Sequence, residues 1–324
     1  MASIEVVGVL DPHEVAAVSG VVEAATEADG VRPLSEHVVL HLRYGGDDPV
    51  RNLLAWDGDR LAGYAHLDVT DEVAGASAEV VVAPAYRRQG VGRRLVEATV
   101  AETRDGRLRL WAHGGHPAAA ALAAALGFRE SRELWQLRRS LYAALPHAAV
   151  PAGVTVRTFR PGADDDAWVA LNAVAFRDHP EQGAWTVDDL HRRAREPWFD
   201  PAGFFLATRD DGAGDARLVG FHWTKVHGGD SGSDAHGHPH PDGHGHGHDP
   251  IGEVYVVGVD PAERGSGLGK ALTVIGLQHL RALGLPDAML YVDADNAAAI
   301  RLYTSLGFTR WETDVMFSRE VRHT

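Results

Sequence analysis

Two short stretches of the chain carry residue types with a clear chemical use. Arg87-x-x-Gly90-x-Gly92 and Arg264-x-x-Gly267-x-Gly269 each set two glycines, one residue apart, behind an arginine. Glycine has no Cβ, so backbone N–H groups can come close to an anion. A helix opening at such a loop adds the positive end of its dipole. Together these make a cradle for a pyrophosphate. A third group of residues, His236, His238, His240, His244, His246 and His248, has a metal-binding side chain at loose spacing. No thiolate or carboxylate completes a tetrahedral set there, so the stretch reads as a weakly chelating, solvated loop. No metal is required.

The elements around the glycine loops repeat. Pro84, Arg87, Gly90 and Gly92 recur as Pro261, Arg264, Gly267 and Gly269 at a constant spacing of 177 residues. Further on, Leu110 through Gly127 and Phe128 recurs as Leu290 through Gly307 and Phe308 at a spacing of 180. In each copy an apolar strand (80–82; 254–259) runs into a proline turn, and the loop then opens a helix (91–103; 268–283). A second strand (108–111; 288–292) and an Ala-rich helix ending at Gly127 or Gly307 follow. Strands alternating with helices predict an α/β fold in two tandem domains. The expected division is 1–140, a linker at 141–153, and 154–324, with a His-rich loop at 227–250.

Composition narrows the function. At 324 residues the chain is long enough for two cores. It has no cysteine, which excludes disulfides, thiolate metal sites and a cysteine nucleophile. A formal charge of −14 argues against nucleic acid as a partner. No apolar run is long enough to span a membrane, and the N-terminus lacks the pattern of a signal peptide. A cytoplasmic monomer acting on small molecules is expected.

The glycine loops after a strand, together with Asn296 through Tyr303 to Gly307 and Phe308, resemble the GNAT superfamily of N-acetyltransferases. The segments 179–186, 198–201, 220–225 and 252–261 narrow the resemblance to its tandem-domain mycothiol synthase family, over nearly the whole chain. The resemblance implies a mixed, mostly antiparallel twisted sheet flanked by helices in each domain. It also implies acetyl-CoA as acetyl donor, with the cysteinyl amine of cysteinyl-glucosaminyl-inositol as acceptor. CoA contacts are implied at Val257, Gly258, Val259, Arg264, Gly265, Ser266, Gly267, Leu268, Gly269, Lys270, Asn296 and Arg301. In the first copy they are implied at Val80, Val81, Val82, Arg88, Gln89, Gly90, Val91, Gly92 and Arg93. Acceptor contacts are implied at Glu36, Glu181, Lys225, Glu253 and Tyr291.

Acetyl transfer needs an unprotonated amine, and a carboxylate in reach can take the proton. Glu253 is the candidate base and Tyr303 the candidate acid for the leaving thiolate, while strand amides near Val257 and Val259 polarise the acetyl carbonyl. Asn296 is expected as a helix N-cap sharing a face with Tyr303. Counted along the chain, Ala76 stands opposite Glu253, His116 opposite Asn296 and Ala123 opposite Tyr303. The first copy thus lacks both groups, and Glu79, an odd number of positions from Ala76, is expected on the wrong face. Transfer is assigned to the second copy. Two readings stay beside this one: another amine acceptor (a peptide N-terminus or an aminoglycoside), and a non-catalytic acyl-CoA sensor.

Overall fold

The computed structural model describes residues 2–45, 50–71, 75–210, 216–228 and 250–319. The histidines from His236 to His248 lie outside the described residues. The chain divides into two compact units, and both are α/β. The first comprises residues 1–135, 293–295 and 312–324, and the second residues 136–292 and 296–311.

In the first unit the elements are β1 (Ser3–Val7), α1 (Pro12–Asp29), α2 (Glu36–Tyr44), β2 (Val50–Asp57), β3 (Arg60–Asp68), β4 (Ala76–Val82), α3 (Val91–Ala101), β5 (Leu108–Ala112), α4 (Pro117–Ala125) and the start of β6 (Arg129–Ser140). β1 to β4 form an antiparallel meander, and β4 then pairs in parallel with β5. A strand from the far end of the chain pairs antiparallel with β5, Val315 opposite Ala112 through Arg319 opposite Leu108. The sheet buries one face under α3, through Ala78, Val91 and Leu95, and the other under α1, through Val18, Tyr64 and Val81. Local sequence fixes the ends of α1: Asp11 and Glu14 close a reciprocal capping box, and Gly30 ends the helix at φ 72°.

The second unit repeats the plan with β7 (Val154–Thr158), α5 (Asp165–Ala175), α6 (Pro180–Gly183), α7 (Val187–Ala194), β8 (Phe204–Asp210), β9 (Ala216–His227), β10 (Ile251–Val259), α8 (Leu268–Ala282), β11 (Asp287–Asp293), α9 (Ala297–Ser305) and the start of β12 (Thr309–Arg319). β7 to β10 are antiparallel, and β10 pairs in parallel with β11. Trp168 anchors one face, edge-on to Phe204, Phe221 and Trp223, while Phe204 stacks on Trp223 at 4.6 Å. On the other face α8 lies close to β9: a Cβ at Gly276 would meet the His222 ring at 2.0 Å, so only glycine fits. Among the described residues no helix is long and apolar enough to cross a membrane.

Candidate active site

β10 carries the candidate base of the second unit. Its parallel pairing with β11 covers Ile251, Gly252 and Glu253 and stops there, so the two strands part just past Glu253. The antiparallel pairing with β9 continues to Val259, leaving Val257, Gly258 and Val259 on the stretch that leads to the glycine loop. Gly258 stands opposite Phe221, whose ring comes within 2.6 Å of where a Cβ would lie, so no side chain fits.

The loop has the form its glycines anticipate. Gly265 and Gly267 have φ of 82° and 87°, and nothing lies within 4 Å of a Cβ built on either. Gly267 is the left-handed N-cap of α8, and Leu268 is the helix's first, buried residue. Arg264, Ser266 and Lys270 are exposed around it. This leaves an open concavity at a helix N-terminus, which fits a CoA pyrophosphate. The first unit repeats it with Gly90 at φ 83° capping α3, but Arg88 takes the left-handed conformation (φ 62°) where the second unit has Gly265. Val80, Val82 and Gly92 are half-buried beside this loop, Val81 and Val91 are buried, and Gln89 and Arg93 are exposed.

Glu253 is buried, 6% exposed, and its Oε2 accepts from His227 Nε2 at 2.6 Å. Lys225 is directly opposite it on β9, and His227 is two residues further along the same face. Burial pushes the Glu253 carboxyl up, but the His227 hydrogen bond and the charges of His227 and Lys225 outweigh it and hold the carboxyl below the usual range. The Lys225 ammonium lies 4.4 Å from the ring centre of Trp198 and 5.2 Å from that of Tyr255. Arg193 Nε in turn donates to the Tyr255 hydroxyl at 2.8 Å, and its guanidinium covers Trp185.

The other candidate residues are placed as follows. Tyr303 is buried on α9, edge-on to Phe308, and burial pushes its hydroxyl up to about 12. Asn296 caps α9, its Oδ1 accepting from Ala299 N at 3.1 Å, and Arg301 is exposed one turn on. Tyr291 on β11 is 41% exposed, and its hydroxyl accepts from Gln136 at 2.9 Å. Glu36 is the first residue of α2, in the first unit, and is half-buried. Glu181 falls within α6, but its side chain lies outside those described. Among the described residues no group of three or more His, Asp or Glu side chains is arranged to hold a metal ion.

His227, Trp198, Tyr255 and Arg193 escaped the sequence reading. The expected loop at 227–250 takes in His227, whereas the structure makes it the last residue of β9. The alternation Lys225-x-His227 was the available signal, and it becomes informative only when the register sets both residues against Glu253.

The two halves each match a known pattern. The acetyltransferase (GNAT) family matches residues 168–308, and an acetyltransferase (GNAT) domain matches residues 49–130. The mycothiol acetyltransferase of Streptosporangium roseum is 58% identical, across 98% of this chain and 99% of its own. That of Acidothermus cellulolyticus is 60% identical, across 98% and 94%. The chain belongs to the mycothiol acetyltransferases. Among solved structures, the tandem GNAT protein from the clavulanic acid biosynthesis pathway superposes with a TM-score of 0.70 at 19% identity, covering the whole of both chains. A GCN5-related N-acetyltransferase from Sphaerobacter thermophilus gives 0.64 at 24% identity, covering 98% of this chain and 96% of its own. These two establish the tandem GNAT fold. This mycothiol acetyltransferase family member is therefore an acetyltransferase, and acetyl-CoA is its donor.

Proposed function

We propose that the second unit transfers the acetyl group of acetyl-CoA to the cysteinyl amine of cysteinyl-glucosaminyl-inositol, giving mycothiol. The observation that carries this reading is a buried, ionised Glu253 placed where β10 and β11 part, on the strand that leads into the open glycine loop. Arg264 to Lys270 hold the pyrophosphate, with Asn296 and Arg301 beside it. Val257 to Val259 offer backbone groups to the pantetheine arm and the acetyl carbonyl. Glu253 takes a proton from the acceptor ammonium, and the freed amine attacks the thioester carbon. The carbon–sulfur bond then breaks, and Tyr303 protonates the CoA thiolate. The high proton affinity of Tyr303 keeps it neutral, hence a donor, at neutral pH.

Lys225, Glu253, Tyr291 and Glu181 contact the polar acceptor, as donors and acceptors suited to hydroxyls and an amine. The first unit keeps a CoA loop, from Val80 to Arg93, without transferring the acetyl group. The division into a degenerate N-terminal domain and a catalytic C-terminal one follows from this assignment. The protein works as a monomer without a metal.

The test is release of free CoA thiol from acetyl-CoA with three acceptors: cysteinyl-glucosaminyl-inositol, a peptide amine and an aminoglycoside. Turnover is expected with the first. Silence there with turnover on either of the others overturns the acceptor. Glu36→Ala checks the remaining expected contact through the acceptor KM.

A further inference from the structure

A buried general base needs more than burial. Its carboxylate must stay ionised without water, and the oxygen that takes the proton must be held toward the amine. On Glu253 one oxygen, Oε2, is already occupied by His227 Nε2 at 2.6 Å. His227 stands opposite Ile251, one step along β9 from Lys225, so its ring reaches Glu253 diagonally across the ladder. It is 29% exposed against 9% for the Glu253 side chain, which places it on the solvent side of the pair.

We infer that His227 is the positioning residue of the base: its Nε2–H fixes Oε2, leaves Oε1 as the oxygen that meets the acceptor ammonium, and keeps the carboxylate charged in a dry site. The inference rests on Glu253 being the base. Around the pair, β9 supplies Lys225, whose charge acts in the same direction. β10 itself supplies Tyr255, held by Arg193 of α7, and β11 supplies the apolar Met289 opposite Glu253 and Asp287 opposite Ile251. Lys225 is held over Trp198 and Tyr255, and His227 is the described residue hydrogen-bonded to the carboxylate.

The experiment compares His227→Leu, His227→Gln and Glu253→Gln in the full chain, measuring kcat against pH and acetyl-CoA Kd. In His227→Leu, kcat falls by about 10- to 100-fold, the worth of one hydrogen bond to a charged group. Its acid limb moves to higher pH, because a buried carboxylate without its donor holds a proton more tightly. Acetyl-CoA Kd stays unchanged. His227→Gln, which keeps an N–H at a similar reach, restores kcat to within a few-fold and leaves the acid limb in place. The inference is overturned if His227→Leu keeps the parent kcat and acid limb while Glu253→Gln loses activity. It is also overturned if the glutamine variant is as impaired as the leucine one. Should His227→Leu fail to bind acetyl-CoA at all, the acid limb of His227→Gln decides: in place supports the inference, displaced overturns it. Retained kcat in Glu253→Gln removes the base itself, a separate failure.

Discussion

Each unit has a buried glutamate at the last paired residue before its parallel strands part, and the two are held differently. Glu79 lies opposite Trp111, as Glu253 lies opposite Met289. Glu253 meets a partly exposed histidine and a lysine. Glu79 instead accepts from Ser35 N at 2.6 Å and lies 3.6 Å from His113, which is itself half-buried and bonded to Asp314 at 2.9 Å. Asp314 also accepts from Gly114 N, so every charge in this group is answered inside the unit. Burial opposes the charge on His113, but Asp314 and Glu79 outweigh it and push its pKa up to about 10. The Glu79 carboxyl, pushed up by burial, is pulled below its usual range by His113 and Ser35. Each unit thus ends its parallel pairing on a carboxylate, two residues apart in the repeat. In the first unit it is locked into an ion network; in the second its hydrogen-bond partner among the described residues is the partly exposed His227.

The comparison also corrects the face expected for Glu79. A bulge at Tyr255 puts one extra residue into β10, because Val254 pairs with Thr224 while Val256 pairs with Trp223. Gly252 pairs with Ala288, and the repeat of Ala288 is Leu108, which pairs with Ala76. Glu253 therefore corresponds to Ser77, not Ala76. Glu79 is two residues from Ser77, on the same face as Glu253. The correct face does not give Glu79 the same setting: its Oε2 accepts from Ser35 N and faces His113, and Ala123 stands where α9 has Tyr303.

The largest expected effect separates the two glutamates. Glu253→Gln lowers single-turnover rate by about 10²–10⁴, the usual contribution of a general base, whereas Glu79→Gln leaves that rate within a few-fold. Equal losses would erase the distinction. Tyr303→Phe should also cost about 10² or more with acetyl-CoA affinity intact, as stopped-flow thiol release would show. Glu79→Gln instead destabilises, by about 3–5 kcal/mol in denaturant unfolding, because it leaves a buried ion network one charge short.

A smaller effect should follow pH. His113 holds its proton more tightly folded than unfolded. Its stabilising contribution is complete below its unfolded pKa of about 6.5 and is lost as pH rises toward about 10. The melting temperature of the parent should therefore fall toward that of His113→Gln across this window. A gap constant in pH would mean the ring is not charged. The smallest effect belongs to the loops. Arg88→Gly relieves left-handed strain but adds chain entropy to the unfolded state, so stability should change by less than about 1 kcal/mol. The reverse kind of change, Gly265→Ala, should cost about 1–2 kcal/mol.

Features whose cause lies within a few residues were legible in the sequence. Positive φ is demanded by the glycine loops, Asn296 caps the helix that follows it, Gly127 and Gly307 adopt φ of 80° and 86° after their helices, and the two repeats show that the pattern was used twice. Glu253 could be named as the candidate base only through the family resemblance, since a Glu at the start of a strand reads by itself as a surface carboxylate. What surrounds it is not local. One bulged residue decided whether Ser77 or Ala76 answers Glu253, and strand register brought His227 to it across 26 residues of sequence. The pairing of the final strand with β5 carried Asp314 to His113 across 201 residues. Side-chain spacing along a strand is set by the chain, but which strand lies alongside, and in what register, is set by burial summed over the whole sheet. The sequence therefore determined where two glutamates could stand, and only the tertiary structure decided which partners each of them meets.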